Sequence, residues 1–491
     1  MRPALARAAR RLFATQSRYS HLQTLTHSVR QVCEAFAPLD AGARERNARV
    51  SLAGRVTAVR EASSKLVFLT LNAGGASVQA MCMRNEYAGG DADAFGRDVR
   101  SVGRGDVVQL HGFMGKTKVG ELSVIPERLT MLAPCVQPFP VADSVKDKDI
   151  VYRARHVDLL ANGDSMATFL ARSRLVSSLR AYLVGRDFVE VETPIMSASP
   201  LGAEAEPFVT ESRALGEQLF MRVSPELYLK QLVVGGMERV FEVGKLFRNE
   251  GIDTTHNPEF TSCEFYMAYA TAEDLMGMTE DMLRSIVRAT TGETTLLGGR
   301  VDLAPAFARI DITSAISELA GGAPFPETTD VDVLRAYLQP LCARLLSPEL
   351  QAQVADASVA WMIDSLLDEH VTNAIEQPTF VTGHPVAMSP LAKASEARPW
   401  VTDRFELFID GTELCNAYTE LNDPEEQLAR MRAQTTDAAA LDAAELFCQA
   451  LEYGLPPTAG WGIGIDRLCM FVTNRSSIRD VILFPALRTK R

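Results

Sequence analysis

Apolar and polar residues alternate in short segments between residues 50 and 135, and glycines and polar turns separate these segments. The alternation predicts β-strands rather than helices. The predicted strands cover residues 50–59, 65–71, 77–83, 107–113 and 122–129. Five short strands in about 80 residues are typical of a small Greek-key barrel of the OB type, a frequent binder of oligonucleotides. A β-barrel module without that role is the alternative.

A second, larger domain follows a stretch of prolines and charged residues that we interpret as a linker over residues 136–165. Helical periodicity then covers residues 166–184 and ends at a glycine, as helices often do. Further along, a turn at Asp410 and Gly411 joins two alternating segments and predicts a hairpin. Because hairpins pair antiparallel strands, the fold class predicted for residues 166–491 is α+β, with a mainly antiparallel sheet flanked by helices.

The composition is that of an ordinary globular protein. Of 491 residues, 47% are hydrophobic and 23% are charged, which excludes a disordered or collagen-like chain. No uninterrupted apolar run approaches the ~20 residues that cross a bilayer, so we predict no membrane association. The eight cysteines include no C-x-x-C pair and accompany no histidine cluster. They therefore predict reduced thiols rather than a disulfide framework or a zinc site.

Charge is distributed unevenly, and the amino terminus differs most from the rest. Residues 1–33 contain no acidic residue and six arginines, which are Arg2, Arg7, Arg10, Arg11, Arg18 and Arg30. An arginine-rich, acid-free amphipathic leader is typical of a mitochondrial transit peptide and predicts a location in the mitochondrial matrix. A basic arm that binds nucleic acid is the alternative. Residues 50–135 carry a net charge of +2 and residues 136–491 carry −20, so we expect a polyanion to bind the barrel.

The stretch 239–269 contains two alternating segments around a polar loop, which predict a hairpin. Alternation places Glu242 and Arg248 on one face of the first strand, and Glu264 and Tyr266 on one face of the second. Burying these charges without partners costs several kcal/mol per group, on the order of the penalty for unpaired ions, so we expect this face to line a site. The alternative is a solvated face with mutual salt bridges. No glycine-rich phosphate loop of the Rossmann or P-loop kind occurs, so side chains must hold any nucleotide.

Near the carboxyl terminus, Gly460, Gly462 and Gly464 alternate with apolar residues. They predict a strand with one bare face, which admits a flat ligand or another backbone. Asp466 is expected to cap a helix whose first turn presents Arg467. Close packing of the sheet on a helix is the alternative explanation for the glycines.

A third group of polar residues, Glu413, Asn416 and Glu420, follows the predicted turn. Two carboxylates without histidine or cysteine are hard ligands that suit magnesium held partly by substrate phosphates. Strict alternation puts Glu413 on the opposite face from the others, so a β-bulge between Glu413 and Asn416 is needed if all three reach one site. Elsewhere, Glu226 stands at a predicted helix start, where it either complements the helix dipole or binds a ligand.

Three segments resemble, in order, motifs 1, 2 and 3 of class II aminoacyl-tRNA synthetases. They read GRDFVEVETPIM (185–196), FRNEG followed by HNPEF (247–260) and GIGIDRL (462–468). Together with the barrel, they are similar to the lysyl-tRNA synthetase family from about residue 48 to the end.

This resemblance implies an OB-fold anticodon-binding domain over residues 48–135 and a class II catalytic domain over residues 166–491. It also implies a homodimer built around motif 1 with its Pro194. The implied ligands are ATP and Mg²⁺, L-lysine and lysine tRNA.

The resemblance further implies roles for individual residues, with Arg248 and Arg467 as the catalytic ones. Arg248 is implied to contact the α-phosphate of ATP and the lysine carboxylate, while Phe260 and Arg467 enclose the adenine. The implied ATP-binding set is Arg248, Glu250, His256, Phe260, Glu413 and Arg467. The implied lysine-binding set is Gly202, Glu226, Arg248, Glu264, Tyr266, Asn416 and Glu420. Magnesium is implied to bind Glu413 and Glu420, and anticodon bases are implied to contact Arg55, Phe68, Gln79 and Glu121.

Two segments depart from the family pattern. Leu201 and Glu206 stand where bacterial members have glycine and arginine, and Cys415 and Ala417 replace the two glycines of a GNGF segment. The acidic pocket still suits a basic side chain, whereas aspartyl relatives need a cation there.

The resemblance therefore predicts a lysine-tRNA ligase that serves organellar translation. Two other activities of the same fold are alternatives: an enzyme that attaches lysine to a protein, and a non-catalytic accessory protein. The protein-modifying relatives usually lack the barrel, and accessory proteins tend to lose the charged ligands. The barrel segment and the presence of Arg248, Glu413, Glu420 and Arg467 argue against both.

Overall fold

The computed structural model describes residues 19–198, 205–435 and 438–488 of the chain. The chain forms two compact units, the first ending at Val141 and the second beginning at Ala142.

The first unit is a small barrel with two α-helices among its described residues. In chain order its elements are α1 (Val29–Ala35), β1 (Arg44–Ser63), β2 (Leu66–Ala73), β3 (Ala76–Met83), α2 (Ala92–Asp98), β4 (Val107–Lys116) and β5 (Leu122–Ala133). The strands pair in the order β1-β2-β3-β5-β4, and β4 pairs again with β1. The pair β3–β5 is parallel and the other pairs are antiparallel. The five predicted strands are confirmed, and each is longer than predicted.

Helix α1 packs on the core of the barrel. Ser28 begins the helix, since its hydroxyl accepts a hydrogen bond from the Gln31 N–H while the Gln31 side chain accepts one from the Ser28 N–H. Such a reciprocal cap satisfies two donors that a helix start otherwise leaves unpaired. Val29 and Val32 are buried in the apolar cluster that fills the barrel. The helix therefore belongs to the barrel unit.

These contacts bear on the predicted leader over residues 1–33. The backbone N–H of Ser20 donates to Met131, and Arg30 donates from its guanidinium to the Gly74 carbonyl at 3.2 Å. The segment from Ser20 onward is thus held in the barrel unit. If a leader is cleaved from the chain and the barrel unit stays intact, the leader must end before about residue 20. Residues 1–18 lie outside the described part of the chain.

The second unit is built on a large sheet. The elements of its first half are α3 (Lys148–Arg153), α4 (Arg155–Ala161), α5 (Gly163–Val184), β6 (Val189–Glu190), β7 (Met196–Ser197), β8 (Val209–Ser212), β9 (Glu217–Met221), α6 (Glu226–Val234), β10 (Arg239–Phe247), β11 (Glu259–Ala268), α7 (Ala272–Thr291), β12 (Thr295–Leu296) and β13 (Val301–Asp302). Those of its second half are β14 (Ala308–Asp311), α8 (Ile312–Leu319), α9 (Val331–Leu345), α10 (Pro348–Gln351), α11 (Val359–His370), β15 (Thr379–Thr382), β16 (Arg404–Ile409), β17 (Thr412–Thr419), α12 (Pro424–Gln434), α13 (Ala438–Leu451), β18 (Thr458–Gly464), α14 (Ile465–Val472) and α15 (Ile478–Val481).

Eight strands form the main sheet in the order β14-β15-β16-β17-β18-β11-β10-β6. The six central strands are antiparallel, as predicted, and they include both predicted hairpins. The two edge strands, β14 and β6, run parallel to their neighbours, so the sheet as a whole is mixed. One face of the sheet packs on α5 and α7 through Phe241, Phe265 and Trp461. The rings of Phe265 and Trp461 stack with their centroids 4.9 Å apart.

The predicted linker over residues 136–165 is wrong for its second half, because α3, α4 and the start of α5 lie there. Arg155 is buried, forms an ion pair with Asp158 at 2.7 Å, and donates to the carbonyls of Ile482 and Leu483. These bonds attach α4 to the end of the chain, so residues 148–165 belong to the second unit. Within the described residues, no helix combines the length and the apolar character needed to span a membrane.

Candidate active site

A cavity of about 910 Å³ lies in the second unit, on the central strands of the main sheet. It brings together most of the predicted site residues: Glu226, Arg248, Glu250, His256, Phe260, Glu264, Tyr266, Glu413, Asn416 and Arg467. Glu420 does not line the cavity, and Gly202 lies outside the described residues. Strands β11 and β17, helices α6 and α14 and the loop between β10 and β11 therefore bring residues that are far apart in sequence to one place.

Arg248 follows directly after β10 and brings a positive charge to the cavity. Its backbone N–H donates to Pro258 across the hairpin at 3.0 Å, which fixes the position of its Cα. Its guanidinium lies over the Phe260 ring, 5.4 Å from the ring centroid. Among the described residues, the buried Nε of Arg248 has no hydrogen-bond partner. A buried donor left unpaired is costly, so this atom indicates a binding position for an anionic ligand.

Arg467, in the first turn of α14, is held by the hairpin loop and by β17. Its Nη1 donates to the Glu413 carbonyl at 2.7 Å, and its Nη2 lies 3.2 Å from His256 Nε2. Because a guanidinium only donates, His256 Nε2 must accept, which assigns the proton to Nδ1. Nδ1 in turn lies 2.8 Å from Asp253 Oδ2. The sequence analysis did not include Asp253, which orients this histidine.

Asp253 also organises the loop between β10 and β11. Burial alone would raise its pKa, but hydrogen bonds from the Thr255 and His256 backbone N–H groups and from the His256 ring hold the pKa of Asp253 below its usual range. The ionised carboxylate therefore persists at neutral pH and keeps the His256 ring directed at Arg467.

The opposite charge gathers around Glu226, Glu264 and Glu420. Glu226, the first residue of α6, lines the cavity and accepts a hydrogen bond from the Tyr418 hydroxyl at 2.7 Å. The Ser224 hydroxyl donates to Glu264 at 3.0 Å. Burial and the nearby charge of Glu226 raise the pKa of Glu264 to about 8. This end of the cavity is thus strongly acidic and suits a ligand with ammonium groups.

Glu420 occupies a different place from the one predicted. It is 1% exposed and pairs with the ammonium of Lys230, a fully buried residue of α6. The Lys230 ammonium lies within hydrogen-bond distance of Glu420 Oε2. Because Glu420 does not line the cavity, it stands behind the cavity wall.

The glycines of β18 make room for these acids. A Cβ on Gly460 would lie 2.1 Å from Glu420 Oε1 and 2.6 Å from Tyr266 Cε1, and one on Gly462 would lie 3.3 Å from Glu264 Cγ. The structure confirms that β18 has a face without side chains at these glycines. At Gly460 it is filled by protein side chains rather than left open for a flat ligand.

The predicted bulge in β17 is confirmed. Glu413 lies opposite Phe408 and Cys415 lies opposite Leu407, which leaves Leu414 as the extra residue. The bulge turns Glu413 and Asn416 to the same side of the sheet, where both line the cavity.

The carboxylate that accompanies Glu413 is Glu406 of β16, not Glu420. Burial and then the charge of Glu406 raise the pKa of Glu413, whereas Glu420 responds to Lys230 and Glu226 instead. Glu406 accepts a hydrogen bond from Arg404 at 2.5 Å. Glu406 lines the cavity with Glu413, whereas Glu420 does not. The assignment of magnesium to Glu413 and Glu420 stays a prediction. Sequence reasoning missed Arg404 and Glu406, although their alternation with buried Phe405 and Leu407 was a usable signal.

Two of the carboxylates that line this cavity, Glu406 and Glu413, could hold a cation. Within the described ranges, no group of three or more histidine, cysteine or acidic side chains is arranged around a metal position. A pair of carboxylates alone fits Mg²⁺, which usually keeps several other ligands from water and substrate phosphates.

Glu242, predicted to face the site with Arg248, is instead part of the interior. It is 5% exposed, forms an ion pair with Arg222 at 2.5 Å and accepts a hydrogen bond from the Thr193 hydroxyl. Gly244 leaves space for this arginine, since a Cβ there would lie 2.2 Å from Arg222 Nη2. Glu242 therefore follows the alternative interpretation, in which the charges of this face pair with each other. The pair is buried, however, rather than solvated.

The outer face of the barrel carries part of the predicted anticodon set. The Arg60 guanidinium lies 4.4 Å from the centroid of the Phe68 ring. Gln79 is diagonal to Phe68 on the same face and donates to the Ser123 hydroxyl at 2.8 Å. Glu121 is exposed and lies two residues before Ser123. An aromatic ring beside an arginine and an amide is a surface that can stack and pair an unpaired base.

Arg55 is separated from this group. It pairs with Asn72, four residues along β2 from Phe68, and its guanidinium donates to the Gly105 carbonyl at 2.7 Å. Four residues of a strand span about 13 Å, so the structure does not bring Arg55 to the Phe68 surface. Sequence reasoning missed Arg60, which pairs with Phe68 across β1 and β2.

Comparisons with known proteins show the family of the chain. The family model of class II tRNA synthetases (D, K and N) matches residues 147–488, and that of the OB-fold nucleic acid binding domain matches residues 50–132. The lysine-tRNA ligase cla4 of Cladosporium cladosporioides is 44% identical over 490 residues, covering 96% of this chain and 81% of that protein. The lysine-tRNA ligase of Oceanobacillus iheyensis is 42% identical, covering 90% and 88%. That of Bacillus subtilis is 40% identical, covering 95% and 92%. The chain therefore belongs to the class II aminoacyl-tRNA synthetases, in the family of the lysine-tRNA ligases.

Proposed function

We propose that this protein activates L-lysine with ATP and transfers it to the 3′ end of lysine tRNA. The observation that carries the proposal is one cavity lined by charges of both signs: the arginines Arg248 and Arg467, and the acids Glu226 and Glu264. Arginines suit the phosphates and the carboxylate of the reactants. The acids suit the ammonium groups of lysine.

The chemistry needs positioning and charge more than a nucleophilic side chain. The lysine carboxylate attacks the α-phosphorus of ATP, and pyrophosphate leaves. The terminal ribose hydroxyl of the tRNA then attacks the carbonyl of the lysyl-adenylate, and AMP leaves. Arg248 would neutralise charge that develops on the α-phosphate, and donors fixed in advance are usually the largest catalytic contribution.

Individual side chains take the following roles in this proposal. Phe260 and Arg467 enclose the adenine, Glu250 lies near its amino group, and His256 lies near the phosphates. Glu406 and Glu413 would hold Mg²⁺, which supplies further neutralisation of phosphate charge. Glu226 and Glu264 take the ammonium groups of lysine, with Tyr266 beside them and Asn416 near the carboxylate.

Two assays test this activity. Lysine-dependent exchange of pyrophosphate into ATP measures adenylate formation, and charging of a lysine tRNA transcript measures transfer. A protein-lysylating enzyme would show exchange without charging, and an accessory protein would show neither.

The barrel is proposed to bind the anticodon. Phe68→Ala removes a stacking surface whose loss costs roughly 1 to 3 kcal/mol, so tRNA charging should weaken while pyrophosphate exchange remains unchanged. Val119→Ala, at an exposed residue of the β4–β5 turn, serves as the control and should alter neither assay. If Phe68→Ala lowered pyrophosphate exchange as much as tRNA charging, a separate role for the barrel would be contradicted.

We also propose that the amino-terminal residues direct the protein to the mitochondrial matrix, where it serves organellar translation. The five arginines before residue 20 and the absence of acids there support this. Residues 1–45 fused to a fluorescent reporter should bring it into mitochondria, and sequencing of the imported full-length protein should find its first residue at or before Ser20. Cytosolic fluorescence would contradict the proposal.

A homodimer through motif 1 is the last part of the proposal. Met166 and Leu170 of α5 are exposed, as are Val189, Ile195 and Met196 in the segment that follows. Exposed apolar side chains in and beside the motif 1 segment support an interface there. Sedimentation equilibrium should give twice the 53.7 kDa mass of the full chain, and Leu170→Glu should shift the protein toward the monomer. A monomeric unmodified protein would overturn this part.

A further inference from the structure

An arginine of the cavity wall has no role in the reaction proposed above. Arg404 of β16 lines the cavity, and its side chain is 14% exposed. Its Nη1 donates to the Met388 carbonyl at 2.9 Å and to the Ser389 hydroxyl at 3.0 Å, and its Nη2 donates to Glu406. Its Nε donates to the Asn416 side chain at 3.2 Å. All three nitrogens therefore have protein partners, which indicates a positioning role rather than direct binding of a ligand.

The strand register brings these side chains together. Asn416 of β17 lies directly opposite Glu406 of β16, and Tyr418 lies opposite Arg404. Residues two apart on a strand share a face, so all four side chains lie on the side of the sheet that lines the cavity. The contact between Arg404 and Asn416 is therefore fixed by two neighbouring strands rather than by a loop.

This contact determines which end of the Asn416 amide remains for a ligand. A guanidinium only donates hydrogen bonds, whereas a side-chain amide has an oxygen that accepts and a nitrogen that donates. The atom of Asn416 that lies beside Arg404 Nε must therefore be the oxygen, Oδ1. Nδ2 lies at the other end of the amide and has no hydrogen-bond partner among the residues that the structure describes. The N–H donors of Asn416 thus remain for a ligand in the cavity.

A donor is the group that a carboxylate requires. The proposed function places the carboxylate of lysine near Asn416. Because an ionised carboxylate only accepts hydrogen bonds, it is attracted by Nδ2 and repelled by Oδ1. The orientation of this one amide therefore decides whether the contact with lysine is favourable.

We propose that Arg404 is a positioning residue for lysine, because it holds Oδ1 of Asn416 and so presents the amide N–H groups of Asn416 to the lysine carboxylate. Arg404 acts through Asn416 and does not itself contact the substrate. This inference rests on the proposed function.

Glu406 is the reason that the amide must be held. It lies directly opposite Asn416, and its oxygens are acceptors that compete with a substrate for the Asn416 N–H groups. Arg404 prevents this competition, because its Nη2 donates to Glu406 while its Nε donates to Asn416. Without the arginine, the N–H groups of Asn416 can turn to Glu406, and Oδ1 would then face the lysine carboxylate.

Binding of two ligands to Arg404→Met tests the proposal. One ligand is L-lysine, and the other is 1,5-diaminopentane, which is lysine without its carboxylate. Both are titrated by calorimetry into the full chain without ATP or magnesium, so that metal binding does not contribute. The Kd for lysine should rise by about 10-fold, the lower end of what a hydrogen bond to a charged group contributes. The Kd for 1,5-diaminopentane should stay unchanged, because this ligand has no carboxylate for Asn416 to bind.

A double variant shows whether Arg404 acts through Asn416. Asn416→Ala removes the donor itself and should raise the Kd for lysine by about 10- to 100-fold. In Asn416→Ala, the further change Arg404→Met should have no added effect on this Kd, because no amide is left to position. Two independent contributions would multiply instead, and that result would contradict the proposal.

Arg430→Met is the matched control. Arg430 of α12 donates to the carbonyls of Ser389 and Ala392, so it holds the same segment of the cavity wall as Arg404 does. Its side chain is 12% exposed, close to the value for Arg404. Its hydrogen bonds to described residues do not include Asn416. Loss of Arg430 should lower the Tm and leave the ratio of the two Kd values unchanged.

The outcomes separate this inference from the proposed function. An unmodified protein that does not bind lysine would overturn both. If the unmodified protein binds and activates lysine, and Arg404→Met binds lysine equally well, the role of Arg404 alone would be overturned. A variant that loses affinity for both ligands to the same extent would also overturn it, since general damage to the cavity affects both.

A second substitution applies if Arg404→Met does not fold. Arg404→Lys keeps a positive charge beside Glu406 but lacks the fixed fork of donors that also reaches Asn416. The same selective loss of affinity for lysine is expected, and an unchanged ratio of the two Kd values would again overturn the role of Arg404.

Discussion

Arg248→Ala is expected to lower the rate of adenylate formation by at least about 10²-fold, the scale seen when one preorganised donor to a developing negative charge is removed. The reason is the Nε of this half-buried side chain, an atom that is itself buried and has no hydrogen-bond partner among the described residues. Pyrophosphate exchange at saturating lysine and ATP measures the effect. Loss of Arg248 should reduce kcat, since the donor acts mainly on the transition state.

Lys245→Ala is the matched control for this substitution. Lys245 lies three residues before Arg248, on β10, its side chain is 39% exposed, and its ion pair is with Glu259 at 3.3 Å. Removing this positive charge should leave exchange within about twofold, because exposed ion pairs contribute little. If Arg248→Ala behaves like this control, Arg248 has no part in the mechanism.

Lysine is expected to be activated about 10⁴-fold more efficiently than norleucine, which has the same chain length without the terminal ammonium. A neutral side chain would leave a buried carboxylate unpaired, and sites built around a polar group of the substrate reject analogues that lack it. The ratio of kcat/KM values in pyrophosphate exchange measures this selectivity.

Glu420→Gln tests which carboxylates produce the selectivity. The substitution leaves Lys230 with Glu226 as its carboxylate partner, so it should raise the KM for lysine more than the KM for ATP. Glu217→Gln, at an exposed residue of β9, should change neither. An unchanged KM for lysine in Glu420→Gln would place the recognition in Glu226 and Glu264, which line the cavity directly.

Much of the site could be predicted because strand alternation is a local property. The period of two residues placed Arg248, Glu264 and Tyr266 correctly, and it required the bulge that the structure has at Leu414. The same reasoning predicted the five barrel strands. Where side-chain direction follows from neighbouring residues alone, the sequence was sufficient.

Partners that are distant in sequence could not be predicted in this way. Tyr418 donates to Glu226 across 192 positions, and Lys230 meets Glu420 across a similar distance. Alternation within β17 does not predict which side chains of α6 contact that strand. For this reason Glu420 was expected to face the substrate and the metal, and Glu406 was overlooked. The helices in the predicted linker were missed for a related reason, since Arg155 bonds to carbonyls more than 300 positions away.

The attachment of α1 to the barrel limits how far the amino terminus can be shortened. A recombinant chain begun at residue 34, after the last residue of the predicted leader, would lose Val29 and Val32 from the apolar cluster of the barrel. Each buried valine contributes about 1.5 to 3 kcal/mol, and the apolar surface beneath them would become exposed to water and prone to aggregation. A chain begun at residue 19 keeps the helix together with its cap, and is the shorter form suited to purification and crystallisation.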